Sequence, residues 1–262
     1  MELRRAIGNR RSIRFLLPHR PVEPEKIQRM FEAARLASHW GNVGSLRAIA
    51  VFRDSASKEL LDSITAPIAG FQIRLAPVII LWFIETAAVD TQSDRLRELL
   101  AAGALGFGEG KTEALETQLL PIFEGITDLL KAPGVGEVDC GQGIAQATLM
   151  AFEQGLGTCC LASPSMEELR VNLGMPDSCR MLLIQTVGYP AESAEAGGQR
   201  PRQAFEELFH MNGYGSPFPR SEEVVAELER DGLLQAAAPL QWREEELEYL
   251  KTALGLKGHG LL

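Results

Sequence analysis

One apolar run constrains the fold of this chain more than any other part of its sequence. Residues Ala76–Ile84 read APVIILWFI, which is far shorter than the ~20 apolar residues that a membrane-spanning helix needs. The run is continuously apolar and does not alternate with polar residues. That pattern is typical of a strand buried on both faces, as in a sheet that helices cover on each side.

Further strands and helices are predicted around this run. Strands are predicted at Leu46–Phe52 and Arg180–Val187, with a short third strand after the turn at Gly155. This succession of strands and helices predicts a layered α/β or α+β fold. Helices are predicted at 2–8, 24–38, 57–64, 93–102, 112–131, 139–154 (with Asp139 as N-cap), 166–173, 204–209, 221–230 and 243–254.

Two segments rich in glycine are predicted to be irregular. The stretch 103–110 (GALGFGEG) is interpreted either as a mobile flap or as a simple loop. The stretch 212–220 (NGYGSPFPR) has the composition of a linker. We therefore divide the chain into a main domain, 1–212, and a C-terminal helical extension, 213–262.

The balance of charge restricts the partners of this chain. Its formal net charge is −9, from 26 basic and 35 acidic residues. An acidic surface argues against nucleic acid as a partner, because phosphate backbones select basic faces. A small anionic ligand would need only a local basic cluster. The opening residues, MELRRAIGNRRSIRF, lack the apolar core of a secretory signal, so we expect a cytoplasmic protein without membrane association.

The four cysteines do not have the spacing of a metal site. Cys140, Cys159, Cys160 and Cys179 include no C-x-x-C pair, and no histidine or carboxylate ligands are spaced around them. We expect no bound metal and interpret the cysteines as reduced, mostly buried thiols. A redox role for the vicinal pair Cys159–Cys160 is the alternative.

Two basic segments are candidates for binding an anion. In an extended segment, Arg10, Ser12 and Arg14 would face the same side, and arginine binds phosphate with a planar fork of donors. Gln199–Arg202 (QRPR) adds two arginines much later in the chain. Each segment taken alone is better explained as a solvated basic turn, and their spacing in sequence does not show that they meet.

A third candidate is Ser38–Asn42 (SHWGN), which directly follows a predicted helix. Its hydroxyl, imidazole, indole and amide groups suit a planar heterocycle. A polar helix C-cap with a glycine at the turn is the alternative.

Together these segments resemble the signature of the nitroreductase flavoproteins. Arg10–Arg14 (RRSIR) is similar to the family's R-R-S-x-R segment, and Ala37–Asn42 (ASHWGN) to its A-P-S-x-x-N segment. The other matching segments are Gly155–Thr158 (GLGT), Val187–Pro190 (VGYP) and the basic segment Arg200–Arg202. Each motif is weak alone, but the order and spacing of all five agree with the family.

The resemblance implies an α+β fold of three layers, in which helices flank a central, mainly antiparallel sheet. It also implies an intertwined homodimer that binds FMN at the subunit interface. By position, the FMN phosphate and ribityl chain would be held by Arg10, Arg11, Ser12, Arg14, Arg200 and Arg202. Ser38, His39 and Asn42 would reach the flavin from the partner subunit, and Leu161, Ala162 and Ser163 would run beside the isoalloxazine ring.

The implied reaction is hydride transfer from NADH or NADPH to FMN and then to a nitro compound, a quinone or a related small acceptor. Such chemistry belongs to the flavin, so no catalytic side chain is required. Two alternatives stay open. One is a protein that binds or sequesters flavin without turnover. The other is a specialised member, either an enzyme that consumes its own flavin or a dehydrogenase of a biosynthetic intermediate.

The chain departs from the family near the expected flavin. Val43–Leu46 (VGSL) stands where the family often has a Q-P-W segment, and His39 and Trp40 replace smaller residues that are common there. We assign Trp40, Gly44 and Phe107 to the substrate pocket, with packing at the dimer interface as the alternative for Trp40. The extension exceeds the short ending of many members, and we expect it to pack on the partner subunit.

Overall fold

A four-stranded sheet forms the centre of the molecule. A computed structural model describes residues 2–163 and 165–261. The strand order is β1-β2-β4-β3, and every pair of neighbouring strands is antiparallel. The strands are β1 (Leu46–Phe52), β2 (Val78–Glu85), β3 (Gly157–Leu161) and β4 (Cys179–Gly188). The predicted α+β class with a mainly antiparallel sheet is confirmed.

Helices cover both faces of this sheet. The α-helices of the described residues are α1 (Leu3–Asn9), α2 (Pro24–Arg35), α3 (Lys58–Ser63), α4 (Phe71–Leu75), α5 (Gln92–Ala101), α6 (Lys111–Ala114), α7 (Leu120–Gly125), α8 (Thr127–Lys131), α9 (Val135–Glu153), α10 (Met166–Asn172), α11 (Phe205–Leu208), α12 (Glu222–Arg230) and α13 (Arg243–Ala253). Within the described residues, no helix has both the length and the apolar character needed to cross a bilayer.

The apolar run is the central strand β2, and both of its faces are buried, as predicted. Its side chains alternate between two cores because successive residues of a strand point to opposite faces. Burying each large apolar side chain contributes about 1.5–3 kcal/mol. Val78, Ile80 and Trp82 pack in the core under α2 and α9, and Ile79 and Leu81 pack in the core on the other face.

The prediction that Asp139 caps its helix is wrong. α9 begins at Val135, where the Glu137 carboxylate accepts a hydrogen bond from the backbone N–H of Gly134 at 2.7 Å. Asp139 is instead buried in the second turn of α9. There it accepts a hydrogen bond from the backbone N–H of Trp40 at 2.9 Å. It therefore fixes the segment that follows α2.

A helical segment connects β2 to α9. It starts with a 3₁₀-helix at Thr86–Thr91 and continues through α5–α8, with a π-helical turn at Leu115–Leu119. Leu96, Leu115 and Leu120 form its own small core. The glycine-rich stretch 103–110 is an irregular connection whose four glycines all have positive φ. The mobility of this stretch stays a prediction.

The C-terminal extension lies against its own chain. Arg4 of α1 forms an ion pair with Glu227 of α12 at 2.7 Å. Gln199 pairs with Ala237 as an isolated β-bridge, and Leu250 of α13 is almost fully buried. The domain boundary at residue 212 and the packing of this extension on a partner subunit stay predictions.

Candidate functional site

The segment Arg10–Arg14, called the arginine segment below, runs beside the start of β3. Ser12 forms a parallel bridge with Thr158, and the backbone N–H of Ile13 donates to the Thr158 carbonyl at 2.9 Å. A Cβ atom at Gly157 would lie only 2.7 Å from Cβ of Ile13. Glycine at 157 therefore allows the close approach that holds the arginine segment against the sheet. This contact gives the GLGT segment a structural role.

Arg14 and Arg200 line the same cavity, so the structure brings the two basic segments together. The cavity has a volume of about 650 Å³, within the range of ligand-binding clefts. α4, α13 and the chain end supply the rest of its wall. Its charged lining residues are Arg14, Arg74, Arg200, Arg243, Glu244, Glu248, Lys251 and Lys257.

The electrostatics of this cavity favour an anion. Within 2–163 and 165–261, no carboxylate forms an ion pair with Arg14 or Arg200. Burial lowers the pKa of Arg200 from its ordinary value, and the positive charges of Arg14 and Arg243 lower it further. Close positive charges repel one another, and a bound phosphate would relieve that repulsion.

A buried glutamate joins the arginine segment to the C-terminal extension. Glu192 Oε1 accepts hydrogen bonds from the backbone N–H groups of Arg14 at 2.5 Å and Phe15 at 3.0 Å. Glu192 Oε2 accepts from Arg243 Nη2 at 2.7 Å. Glu192 and Arg243 were missed by the sequence analysis, because neither lies in a motif.

The remaining arginines of the two segments do not line this cavity. Arg11 is buried and donates to the Gly8 carbonyl at 2.5 Å and to Gln235 Oε1 at 2.6 Å, so it faces the extension. Burial lowers the pKa of Arg11, and the neighbouring cation Arg10 adds to that effect. Arg10 lines a separate pocket of about 70 Å³, and Arg202 is exposed.

The His39–Asn42 segment lines a different cavity, of about 370 Å³, beside β1. Gly41 and Asn42 both adopt left-handed backbone conformations, with φ of 54° and 56°; asparagine tolerates this region better than most residues. His39 Nδ1 is buried and has no hydrogen-bond partner in the described parts of the chain. Ser38, which precedes this turn, is exposed. Within one chain, this segment and Arg14 thus face different cavities.

The residues after β3 are partly accessible. Ala162 is exposed, and the Ser163 hydroxyl lies 2.8 Å from the Ser165 hydroxyl. Leu161 lies three residues after Thr158, which corresponds to about 10 Å along a strand. The strand therefore leads from its bridge with Ser12 to residues 161–163.

The predicted substrate-pocket residues lie in three environments. Trp40 stacks on Phe123 of α7, with ring centroids 5.4 Å apart, so it packs within its own chain. Gly44 lines the cavity that contains His39 and has a φ of 63°. Phe107 is 95% exposed and lines an apolar cavity of about 400 Å³ next to α6.

Comparisons with known proteins give a consistent result. The model of the nitroreductase family matches residues 7–93 and 127–189. An NADPH-dependent oxidoreductase of Staphylococcus haemolyticus is 29% identical over 121 residues, which are 45% of this chain and 46% of that protein. The matched region thus spans about half the length of that relative.

Two solved structures show the same fold. A nitroreductase from Exiguobacterium sibiricum, determined in complex with FMN, has a TM-score of 0.64 and 19% identity, covering 81% of this chain and 98% of its own. NfrA2 of Bacillus megaterium has a TM-score of 0.56 and 20% identity, covering 98% of this chain and 86% of its own. The second likeness includes the C-terminal extension.

Proposed function

The chain belongs to the nitroreductase family, and from this premise we propose that it is an FMN-dependent oxidoreductase. It would accept electrons from NADH or NADPH and deliver them to a small acceptor such as a nitro compound or a quinone. The observation that carries this proposal is that Arg14 and Arg200 line one cavity, and that neither forms an ion pair with a carboxylate among the described residues. A phosphate monoester suits two arginines by its charge, and the planar guanidinium group can donate two parallel hydrogen bonds to phosphate oxygens.

The residues present suit FMN. Arg14 and Arg200 would hold its phosphate, with Ser12 as a neighbouring hydroxyl donor, and Arg74 lines the same cavity. Arg10 and Arg202 would contribute positive potential from outside this cavity. Arg11 would act indirectly, because its guanidinium is hydrogen-bonded to its own backbone and to Gln235.

β3 would guide the rest of the cofactor. Leu161 lies about 10 Å along the strand from Thr158, which forms a bridge with Ser12, and Ala162 and Ser163 follow it. Their backbone groups would lie beside the ring system. When bound, FMN supplies the hydride-transfer chemistry, and the protein supplies position and electrostatics.

A homodimer would complete the site. His39 and Asn42 lie in a cavity separate from Arg14, and the buried His39 Nδ1 lacks a partner in the described residues. In a dimer, Ser38, His39 and Asn42 of one subunit would face the flavin held by the other. Gly44, and Phe107 in the glycine-rich stretch 103–110, would contact the acceptor, whereas Trp40 would support the wall of the site by stacking on Phe123.

Steady-state kinetics test this proposal. Initial rates are measured with the FMN-loaded protein at several fixed concentrations of NADPH, and again of NADH, while a quinone or nitroaromatic acceptor is varied. The proposal expects parallel double-reciprocal lines, because the two substrates react in separate half-reactions. Tight FMN binding without turnover, across both nicotinamides and several acceptors, would contradict it and favour a flavin-sequestering protein.

A further inference from the structure

The Glu192 carboxylate is hydrogen-bonded to both the arginine segment and the C-terminal extension. The Glu192 side chain is fully buried, and its two oxygens accept three hydrogen bonds. Two of these come from the backbone N–H groups of Arg14 and Phe15, at the point where the arginine segment enters the cavity. The backbone of Arg14 is therefore fixed by a side chain from outside its own segment.

The third hydrogen bond comes from the extension. Arg243, in the first turn of α13, donates Nη2 to Glu192 at 2.7 Å and Nη1 to Glu246 at 2.5 Å. Its side chain is only 9% exposed. Two carboxylates thus pair with Arg243, whereas Arg14 and Arg200 form no ion pair with a carboxylate among the described residues.

A buried carboxylate is costly unless it is paired with a cation and hydrogen-bonded. Among the described residues, Arg243 is the cation that forms an ion pair with Glu192, so this pairing depends on the docking of α13. Loss of that contact would leave the buried negative charge of Glu192 without its ion-pair partner, close to the cavity lined by Arg14 and Arg200. It would also release the constraint on the backbone of Arg14.

We propose that Glu192 is a positioning residue for the phosphate-binding arginine Arg14, and that Arg243 of the extension holds Glu192 in place. This inference rests on the proposed function. Binding of the flavin phosphate and docking of the C-terminal extension are then coupled through a single ion pair.

The test compares the dissociation constants of FMN and riboflavin, which differ by the phosphate group. Their ratio is the phosphate preference of the protein. The variants are Glu192→Gln, Arg243→Met and Arg243→Lys. Arg4→Ala is the matched control, because it also removes an ion pair between the main domain and the extension, but on α1 and α12.

Glu192→Gln should lower the phosphate preference about tenfold, the effect of losing one charge-assisted hydrogen bond. One amide oxygen cannot accept both backbone N–H groups and also face Arg243. Riboflavin affinity should change little. Arg243→Lys should retain more of the preference than Arg243→Met, and Arg4→Ala should leave it unchanged. In the Arg14→Ala background, Glu192→Gln should have no further effect on the preference.

Three results would overturn the inference while the proposed function stands. The first is an unchanged phosphate preference in Glu192→Gln and Arg243→Met. The second is an equal loss of FMN and riboflavin affinity in these variants, and the third is an equal effect of Arg4→Ala, since both indicate a general structural role. A wild-type protein that binds neither flavin would overturn both the inference and the proposed function.

Discussion

Replacement of Arg14 by alanine should affect FMN binding and the stability of the fold differently. Arg14 lines the cavity of about 650 Å³ that also contains Arg200, and the structure describes no carboxylate paired with it. If it binds the FMN phosphate, Arg14→Ala removes a charge-assisted hydrogen bond worth about 1.5–3 kcal/mol. This corresponds to a dissociation constant about 10- to 150-fold higher. Stability should respond differently, because removing Arg14 also removes its repulsion with Arg200.

Both quantities are measurable on the same preparation. The FMN dissociation constant is obtained by titrating apoprotein and following the quenching of flavin fluorescence. The free energy of unfolding of the apoprotein is obtained from urea denaturation. Arg95→Ala is the control, because Arg95 is a surface arginine of α5 paired with Glu98. If Arg14→Ala bound FMN as tightly as wild type, or lost affinity only in proportion to lost stability, the assignment of the phosphate site would be wrong.

Three further predictions concern stability and reactivity. Gly157→Ala should destabilise the protein by about 1–3 kcal/mol in urea denaturation, because the new methyl group would overlap Ile13; an unchanged midpoint would refute this packing argument. Burial raises the pKa of Glu137, but hydrogen bonds from the Gly134 N–H and Arg180 outweigh it and leave the pKa below its usual value. Glu137→Gln should therefore be less stable than wild type at neutral pH, with a difference that shrinks as the pH falls through that lowered pKa. Burial raises the pKa of Cys140 to about 12, so this thiol should react with an aromatic disulfide reagent only after unfolding; rapid labelling of Cys140 itself in the native protein, as distinct from the exposed Cys160, would contradict this.

The sheet was largely predictable from the sequence. β1 spans Leu46–Phe52 as predicted, and the apolar run became a strand buried on both faces. Both signals are local, since continuous apolar runs and bounding turns depend little on distant residues. The start of α9 was not predictable in the same way. Gly134 and Gly136 argue against a helix locally, but Gly136 lies against Ile84 of β2, where a larger residue would overlap.

The candidate site was predictable only in part. Arg14 and Arg200 lie in motifs, and the structure brings them together in one cavity. Glu192 and Arg243 lie 51 residues apart, and Arg243 begins a helix rich in glutamate. No local pattern distinguishes these two from solvated surface charges. Arg11 is the opposite case. It lies inside the family motif, but its guanidinium is hydrogen-bonded to Gln235 of the extension and does not line the cavity.

The most direct test of the central claim is the visible absorption spectrum of the purified protein after saturation with FMN, recorded without oxygen before and after addition of each nicotinamide. The proposed function predicts a bound oxidised flavin whose absorption is lost when stoichiometric NADPH or NADH is added. A protein that does not retain FMN, or that keeps the oxidised spectrum with both nicotinamides, would contradict the assignment of this chain as an FMN-dependent oxidoreductase.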